Sequence, residues 1–356
     1  MIKQVVIIAL LSSAFFSPQL QAEMTSGNGA STFSEALHAF TQHYRKQLGL
    51  TQRCLQQQRN EVSVCSANLR NDGNAPFILH HATPSEAVVV LFHGLSDSPF
   101  YLRSVATALH QSGHTVVVGL LPGHGLIQAD ADMQDTRLSE RWKSEFKAVT
   151  QLARPLGRTL VVGGFSSGAT LATHYALSQP DEVDALLLFS GALALSDNAE
   201  KMSRIWGMQT VAKWIDGDYQ SNGPNPFKYP DISLFAALEL MEVIRETRAL
   251  MRTKGVNVKL FAAHSMSDET TPFHGVESLL EENQSTNTTF LIDDSFEVCH
   301  GNLALDRQQV AEIQFDVALL EVIELCVVPE ANPLHRQMMF MLNEFMRSDV
   351  LGENTR

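Results

Sequence analysis

Long apolar runs are missing from this sequence after its first few residues. Beyond residues 5–16 no stretch approaches the roughly twenty apolar residues that a membrane-spanning helix requires, so stable membrane insertion is not expected. A surplus of positive charge is missing too. The 26 Lys and Arg stand against 39 Asp and Glu, a formal charge of -13, which disfavours nucleic acid and anionic membrane surfaces as partners. The chain holds neither H-E-x-x-H nor a glycine-rich phosphate loop with its lysine, so no metal, nucleotide or other cofactor is expected. No repeat or low-complexity linker splits it, and its length suits one large domain with an insertion. Cysteine is scarce: there are four, and the spacings Cys54 to Cys65 and Cys299 to Cys326 match no zinc pattern.

At the N-terminus, Lys3, the apolar run 5–16 and Ser17-Pro18-Gln19-Leu20-Gln21-Ala22 have the charge, core and small-residue end of a secretory signal peptide. Residues 1–22 are therefore expected to be removed after Ala22, and the remainder exported to the periplasm or secreted. The first cysteine after this segment is Cys54, so no lipid-acceptor cysteine follows it. In an exported chain four cysteines suggest two disulfides. Three pairings are possible. The sequence-local one, Cys54 with Cys65 and Cys299 with Cys326, is favoured, each loop contributing about 3 kcal/mol by chain entropy; four buried free thiols are the alternative.

Residues 23–75 read as an N-terminal helical extension. From residue 31 to about 58 the apolar positions Phe33, Leu37, Phe40 and Tyr44 fall at helical spacing, predicting a helix packed on the outside of the main domain. From Pro76 strands alternate with helices, the sign of βα units, a mostly parallel sheet and an α/β domain over 76–356. The strands are predicted at 77–80, 86–93, 114–120, 159–162, 183–189, 255–263 and 288–292, with helices at 101–112, 138–153 and 334–347. The alternation breaks at 193–252, where two helical stretches have no strand between them. This predicts a helical cap inserted in the core domain. Residues 301–332 are longer than a core connection needs and predict a further excursion pinned by Cys326.

Gly164-Phe165-Ser166-Ser167-Gly168 is a G-x-S-x-G pentapeptide between the strand-like 159–162 and the helix-like 170–177. That context makes it a nucleophile elbow, where a strand turning straight into a helix strains the serine and the flanking glycines let backbones approach. An ordinary glycine turn is the bland reading of the pentapeptide alone. A serine hydroxyl needs a histidine to take its proton, and the histidine needs a carboxylate to fix its tautomer. In α/β-hydrolases the order along the chain is Ser, then Asp or Glu, then His, each after a later strand. Asp268, just past the strand that ends at Ala263, is the candidate acid, with Glu269, Asp293 and Asp294 as rivals. His300 is the candidate base; His335 falls within the last helix and His274 lies too near the acid. The oxyanion of a tetrahedral intermediate also needs donors, each worth on the order of 3 kcal/mol. His93-Gly94-Leu95-Ser96-Asp97-Ser98-Pro99 follows a buried strand, and the Leu95 N–H with the Ser167 N–H are the nominated pair. The His93 ring reads as structural.

His93-Gly94-Leu95-Ser96-Asp97-Ser98-Pro99, Leu121-Pro122-Gly123-His124-Gly125, Gly164-Phe165-Ser166-Ser167-Gly168 and the segment 268–272, in that order, resemble the monoglyceride-lipase and bacterial carboxylesterase branch of the α/β-hydrolase superfamily. The resemblance spans roughly residues 75–300 and the last helix. It implies an α/β-hydrolase fold, a mostly parallel central sheet with helices on both faces and an inserted helical cap. It implies Ser166 as nucleophile, Asp268 and His300 as its partners, and Leu95 and Ser167 as oxyanion donors. The chain departs from that branch at Cys299, where a serine or glycine is common, and in the long segment after His300.

The cap carries apolar residues at helical spacing, Met208, Val211, Ala212 and Ile215, then Leu240, Ile244 and Met251, with Trp206, Trp214 and Phe235 nearby. Such stripes more often pack a core, but over Ser166 they would line an acyl cavity. No cluster of basic residues marks an anionic subsite. The expected partner is a small-molecule or lipid ester, uncharged, of short or medium acyl chain or monoacylglycerol-like. Lysophospholipase, peptidase or amidase activity, and a non-catalytic binding protein on the same fold, are the alternatives. The sequence does not speak to oligomeric state.

Overall fold

The computed structural model describes residues 18–55, 60–205, 207–216, 219, 221–320 and 325–352, with side chains from residue 32 onward. The expected signal segment, residues 1–22, lies outside the described residues apart from the backbone of 18–22. Among the described residues eight strands form one sheet: β1 (Glu61–Ser63), β2 (Phe77–Leu79), β3 (Ser85–Phe92), β4 (Thr115–Gly119), β5 (Gly157–Phe165), β6 (Ala185–Phe189), β7 (Lys259–Ser265) and β8 (Asn287–Ile292). Their order across the sheet is β8-β7-β6-β5-β3-β4-β2-β1. Strands β3 to β8 run parallel, with Val90 opposite both Val117 and Val162 at the centre, and β2 runs antiparallel to its neighbours.

The central strands are apolar throughout because helices cover both faces. Val88, Val90 and Phe92 of β3 face one layer, made by α1 (Pro18–Leu48), α3 (Leu138–Ala153), α4 (Ser167–Ser178) and α5 (Leu234–Lys254). Ala87, Val89 and Leu91 face the other, made by α2 (Arg103–Gln111) and α7 (His335–Phe345). A further helix, α6 (His274–Glu282), packs Val276 and Leu279 beside the first layer. Each such fully buried Val, Leu or Phe side chain stabilises the fold by roughly 1.5–3 kcal/mol. None of the described helices is long and apolar enough to cross a membrane.

Three expectations change. The N-terminal helix does not run to residue 58: it ends at Leu48, and Gly49 follows at φ +71°, a left-handed stop that glycine adopts without strain. As expected, the helix packs on the outside of the domain, with Phe33, Phe40 and Tyr44 on its buried face and its other faces exposed or half-buried. Phe40 and Tyr44 are buried with Trp142 and Phe146, and the Tyr44 hydroxyl accepts the Leu120 N–H at 2.9 Å. The extension is also not all helical, because β1 belongs to it and pairs with β2, and Thr51–Gln52 pairs with Cys65–Ser66. A boundary at residue 75 therefore cuts through the sheet.

The cap is shorter than 193–252. Two short helices, Asp197–Met202 and Met208–Asp216, and the loop to 233 stand over the domain. Leu240, Ile244 and Met251 of α5 instead bury into the first helical layer. The Ser233 hydroxyl caps α5 by accepting the Ala236 N–H. The 301–332 excursion folds back on its own ends: the Asn332 amide donates to the Leu303 carbonyl at 2.8 Å, and the Glu330 N–H to Asn302 Oδ1 at 3.2 Å. Both disulfides form in the sequence-local pairing, Cys54 with Cys65 and Cys299 with Cys326.

Candidate active site

Ser166 sits in the one-residue turn between β5 and α4 at φ 55° and ψ -117°, a conformation that costs a non-glycine residue energy and is held by the structure around it. Its N–H donates to the Phe189 carbonyl at 3.0 Å and its carbonyl accepts the Ala169 N–H at 3.0 Å. The glycines matter sterically. A Cβ on Gly168 would run into the Phe92 carbonyl of β3, so only glycine lets α4 start this close to the sheet. The hydroxyl is thereby presented above the carboxyl ends of the parallel strands, where ligands of open α/β sheets bind.

His300 Nε2 lies 2.9 Å from Ser166 Oγ, and His300 Nδ1 lies 2.6 Å from Asp268 Oδ2. Asp268 follows β7 and His300 follows β8, so three separate strand ends bring these groups together. The Asp268 carboxylate accepts the Thr270 and Thr271 N–H groups on Oδ1 (3.0 and 2.9 Å) and the Thr271 hydroxyl on Oδ2 (2.9 Å). Burial alone would raise its pKa, but the charge and hydrogen bond of His300, with the Thr271 N–H, outweigh it and hold the group down at about 2.

The rival residues do not take a place in this line. Glu269 and Asp294 are exposed, Asp293 accepts the Ser295 N–H, and His335 is taken up by the Ser104 hydroxyl at 3.0 Å. His274 opens α6. The His93 ring is buried and spans two backbone groups, Nδ1 at 2.9 Å from the Gly94 carbonyl and Nε2 accepting the Leu121 N–H at 3.1 Å. Burial, with the neighbouring His124, pushes its pKa well below the usual histidine value, so it stays neutral. The Leu95 and Ser167 N–H groups have no acceptor among the described residues.

Ser166 and His300 open into a cavity of about 750 Å³. Leu195, Ile232 of the cap loop, and Ala237 and Leu240 of α5 supply apolar wall, and Leu325 with Cys326 closes another side. The expected acyl-lining stripe is only partly there. Leu240 lines the cavity, but Val211, Trp214 and Ile215 are exposed, Trp214 at 86%, and Met208 packs with Ala212 and Phe235 in a separate small cluster. A stripe at helical spacing says that a face is apolar, not what it faces. Trp206 lies outside the described residues. Among those residues no group of three His, Cys, Asp or Glu side chains is placed to hold a metal ion.

Sequence reasoning missed Thr271, which touches Asp268 through both its N–H and its hydroxyl and lies 3.1 Å from His300 Nδ1. An Asp followed three residues on by Thr is the local pattern in which side chains bond nearby backbone, and it was readable.

Residues 83–297 match the family described as serine aminopeptidase, S33. The chain belongs to this α/β-hydrolase family. The match takes in Ser166 and Asp268 and stops just short of His300. Over 177 residues, 50% of this chain and 68% of its relative, the S33 hydrolase is 24% identical to the thermostable monoacylglycerol lipase of Bacillus sp. (strain H-257). Among solved structures it is similar to one of the metagenome-derived lipolytic enzymes LipS and LipT, with a TM-score of 0.51 and 20% identity over 65% of this chain and 91% of that one. The monoacylglycerol lipase of Paleococcus ferrophilus has the same TM-score at 15% identity, over 74% and 95%. At these identities the structural likeness speaks for the fold.

Proposed function

We propose that this S33 hydrolase is an exported serine esterase that cleaves uncharged carboxylic esters of short or medium acyl chain, including monoacylglycerol-like ones. The observation that carries the reading is the unbroken line from Ser166 Oγ through His300 to the buried Asp268 carboxylate. His300 takes the Ser166 proton through Nε2 as Oγ attacks the ester carbonyl; Asp268 fixes the ring with Nδ1 protonated and stabilises its charged form. The Leu95 and Ser167 N–H groups bind the oxyanion, His300 returns the proton to the leaving alcohol, and a water then releases the acid by the same route. The apolar wall of the cavity receives the acyl chain, in keeping with the lipases and lipolytic enzymes to which the chain is similar. Two disulfides support export to an oxidising compartment.

The family description favours one second reading, amide cleavage. Glu269, Asp294 and Glu297 stand on the cavity wall where an amine could be held.

The test is labelling by a fluorophosphonate probe together with turnover of p-nitrophenyl esters and aminoacyl amides. Labelling of the wild-type protein that is lost in Ser166→Ala, with ester turnover reduced by at least about 10⁴-fold in Ser166→Ala and His300→Ala, is expected. Full ester activity in Ser166→Ala defeats the mechanism, and turnover confined to amides selects the second reading.

A further inference from the structure

The loop that enters α5 is held residue by residue between two parts of the molecule. The Asn225 amide donates to the Tyr101 hydroxyl at 2.8 Å, and the Phe227 ring stacks on Phe100 at 3.7 Å with 6° between the planes. The Tyr229 N–H donates to the Ser96 carbonyl at 2.8 Å, and its hydroxyl accepts the Leu126 N–H at 2.9 Å. From the outer side the Arg70 guanidinium donates to the carbonyls of Lys228 (2.7 Å) and Asn225 (2.8 Å), while the Asn71 and Asn74 amides both donate to the Pro226 carbonyl. Arg70, Asn71 and Asn74 belong to the N-terminal extension, a few residues beyond the Cys54–Cys65 disulfide.

Lys228 lines the cavity. Its ammonium is 3.2 Å from Asp97 Oδ1 and 5.7 Å from the Tyr101 ring centre. Asp97 is only 3% exposed, and a buried carboxylate without its cation is strongly destabilised. Asp97 also shapes the loop it closes. Its N–H donates to the Gly94 carbonyl at 3.2 Å, and its side chain fills the space where a Cβ on Gly94 would be. Leu95 lies inside this turn. The Leu95 N–H shares its peptide plane with the Gly94 carbonyl that the Asp97 N–H holds, and the two carbonyls that follow are held as well, Leu95 by His124 Nε2 at 2.5 Å and Ser96 by the Tyr229 N–H.

We infer that Lys228 is a positioning residue for the Leu95 donor: through Asp97 it holds the 94–97 turn in the shape that aims the Leu95 N–H at the reacting carbonyl, and the N-terminal extension acts on turnover by holding Lys228 in place. This rests on the reading of Leu95 as an oxyanion donor. The effect belongs in the transition state, because an oxyanion donor is needed most when negative charge has developed on the carbonyl oxygen, and a misplacement of an ångström can cost up to about a hundredfold in rate.

The experiment measures kcat, KM and melting temperature with p-nitrophenyl butyrate for Lys228→Met, Lys228→Arg, Arg70→Met and the Lys228→Met/Arg70→Met pair, after titrating active serines with a fluorophosphonate. Lys228→Met is expected to lower kcat roughly ten- to a hundredfold with KM within about twofold, and Lys228→Arg to restore most of it. Arg70→Met should lower kcat less, and the pair should fall no further than Lys228→Met alone, since both act along one line. If Lys228→Met does not fold, Lys228→Met/Asp97→Asn removes the unpaired buried charge and should still show the kcat loss. Wild-type kcat in a folded variant without Lys228, a loss confined to KM, or additive losses in the pair would each overturn the inference. Absence of wild-type labelling at Ser166 defeats the esterase reading instead, which keeps the two failures apart.

Discussion

Cys299 is bonded to Cys326 immediately ahead of His300, so the residue that precedes the base is covalently tied to a wall of the cavity. The bridge closes a loop across 27 positions of sequence, which stabilises the fold by about 3–4 kcal/mol by the chain-entropy estimate. Replacing both residues, as Cys299→Ser with Cys326→Ser, should lower the melting temperature by several degrees. It should also lower ester turnover more than loss of stability explains, because the His300 loop loses its tether. Unchanged kcat in the folded variant would show that backbone contacts alone hold the loop.

Thr271 braces Asp268 through its N–H and its hydroxyl. Thr271→Val keeps the shape and removes the hydroxyl, and should reduce kcat about tenfold while leaving the serine open to fluorophosphonate. The Asp268 carboxylate titrates at about 2 in the folded protein against an ordinary 3.8, so its contribution to stability is complete above pH 3.8 and is lost as pH falls toward 2. Thr271→Val weakens the hold on the charged form, and should narrow that window from its lower end. Acid melts of the two proteins between pH 2 and about pH 4 measure the difference.

Tyr44 ties the N-terminal extension to the heart of the domain through the Leu120 N–H. Tyr44→Phe leaves that buried donor without its acceptor, at a cost of about 1–3 kcal/mol, visible as a lower urea midpoint with an unchanged slope. A helix lying loosely on the outside would show no such loss.

His114 is buried at the start of β4, and desolvation, reinforced by the charge of His81, pulls its pKa from 6.5 to about 4. Between those values the unfolded chain binds the proton and the folded one does not, so stability falls as pH drops through 6.5 and levels off near 4. The single group is worth on the order of 3 kcal/mol over that window. Melting temperature measured from pH 7 down to pH 4 should fall, and fall less in His114→Gln. Equal slopes for the two proteins would remove His114 as a source of acid sensitivity.

Much of the fold was legible in the residues. The strands of the parallel sheet announce themselves by short apolar runs, since burial on both faces leaves no polar side to alternate. The elbow was legible because its glycines answer to a collision with the neighbouring strand, a demand that acts over five residues. Asp268 and His300 could be nominated because each follows a later strand in the chain order Ser, acid, His, and parallel strands all end at one edge of the sheet. The helix α5 was misplaced because an apolar stripe looks the same whether it meets a sheet, another helix or a cavity.

By itself, then, the sequence determined a mostly parallel α/β-hydrolase sheet with a serine at its elbow, and favoured the sequence-local one of three cysteine pairings. Tertiary structure decided the rest. It set the 2.9 Å and 2.6 Å contacts that join Ser166, His300 and Asp268 across the ends of three strands. It placed Thr271 behind the acid and Lys228 against Asp97. It buried one face of the extension against the domain, where Tyr44 and Arg70 find partners far away in sequence. Patterns of period and motif report what neighbouring residues demand of the backbone; which buried carboxylate meets which cation depends on how whole elements pack, and no local pattern carries that.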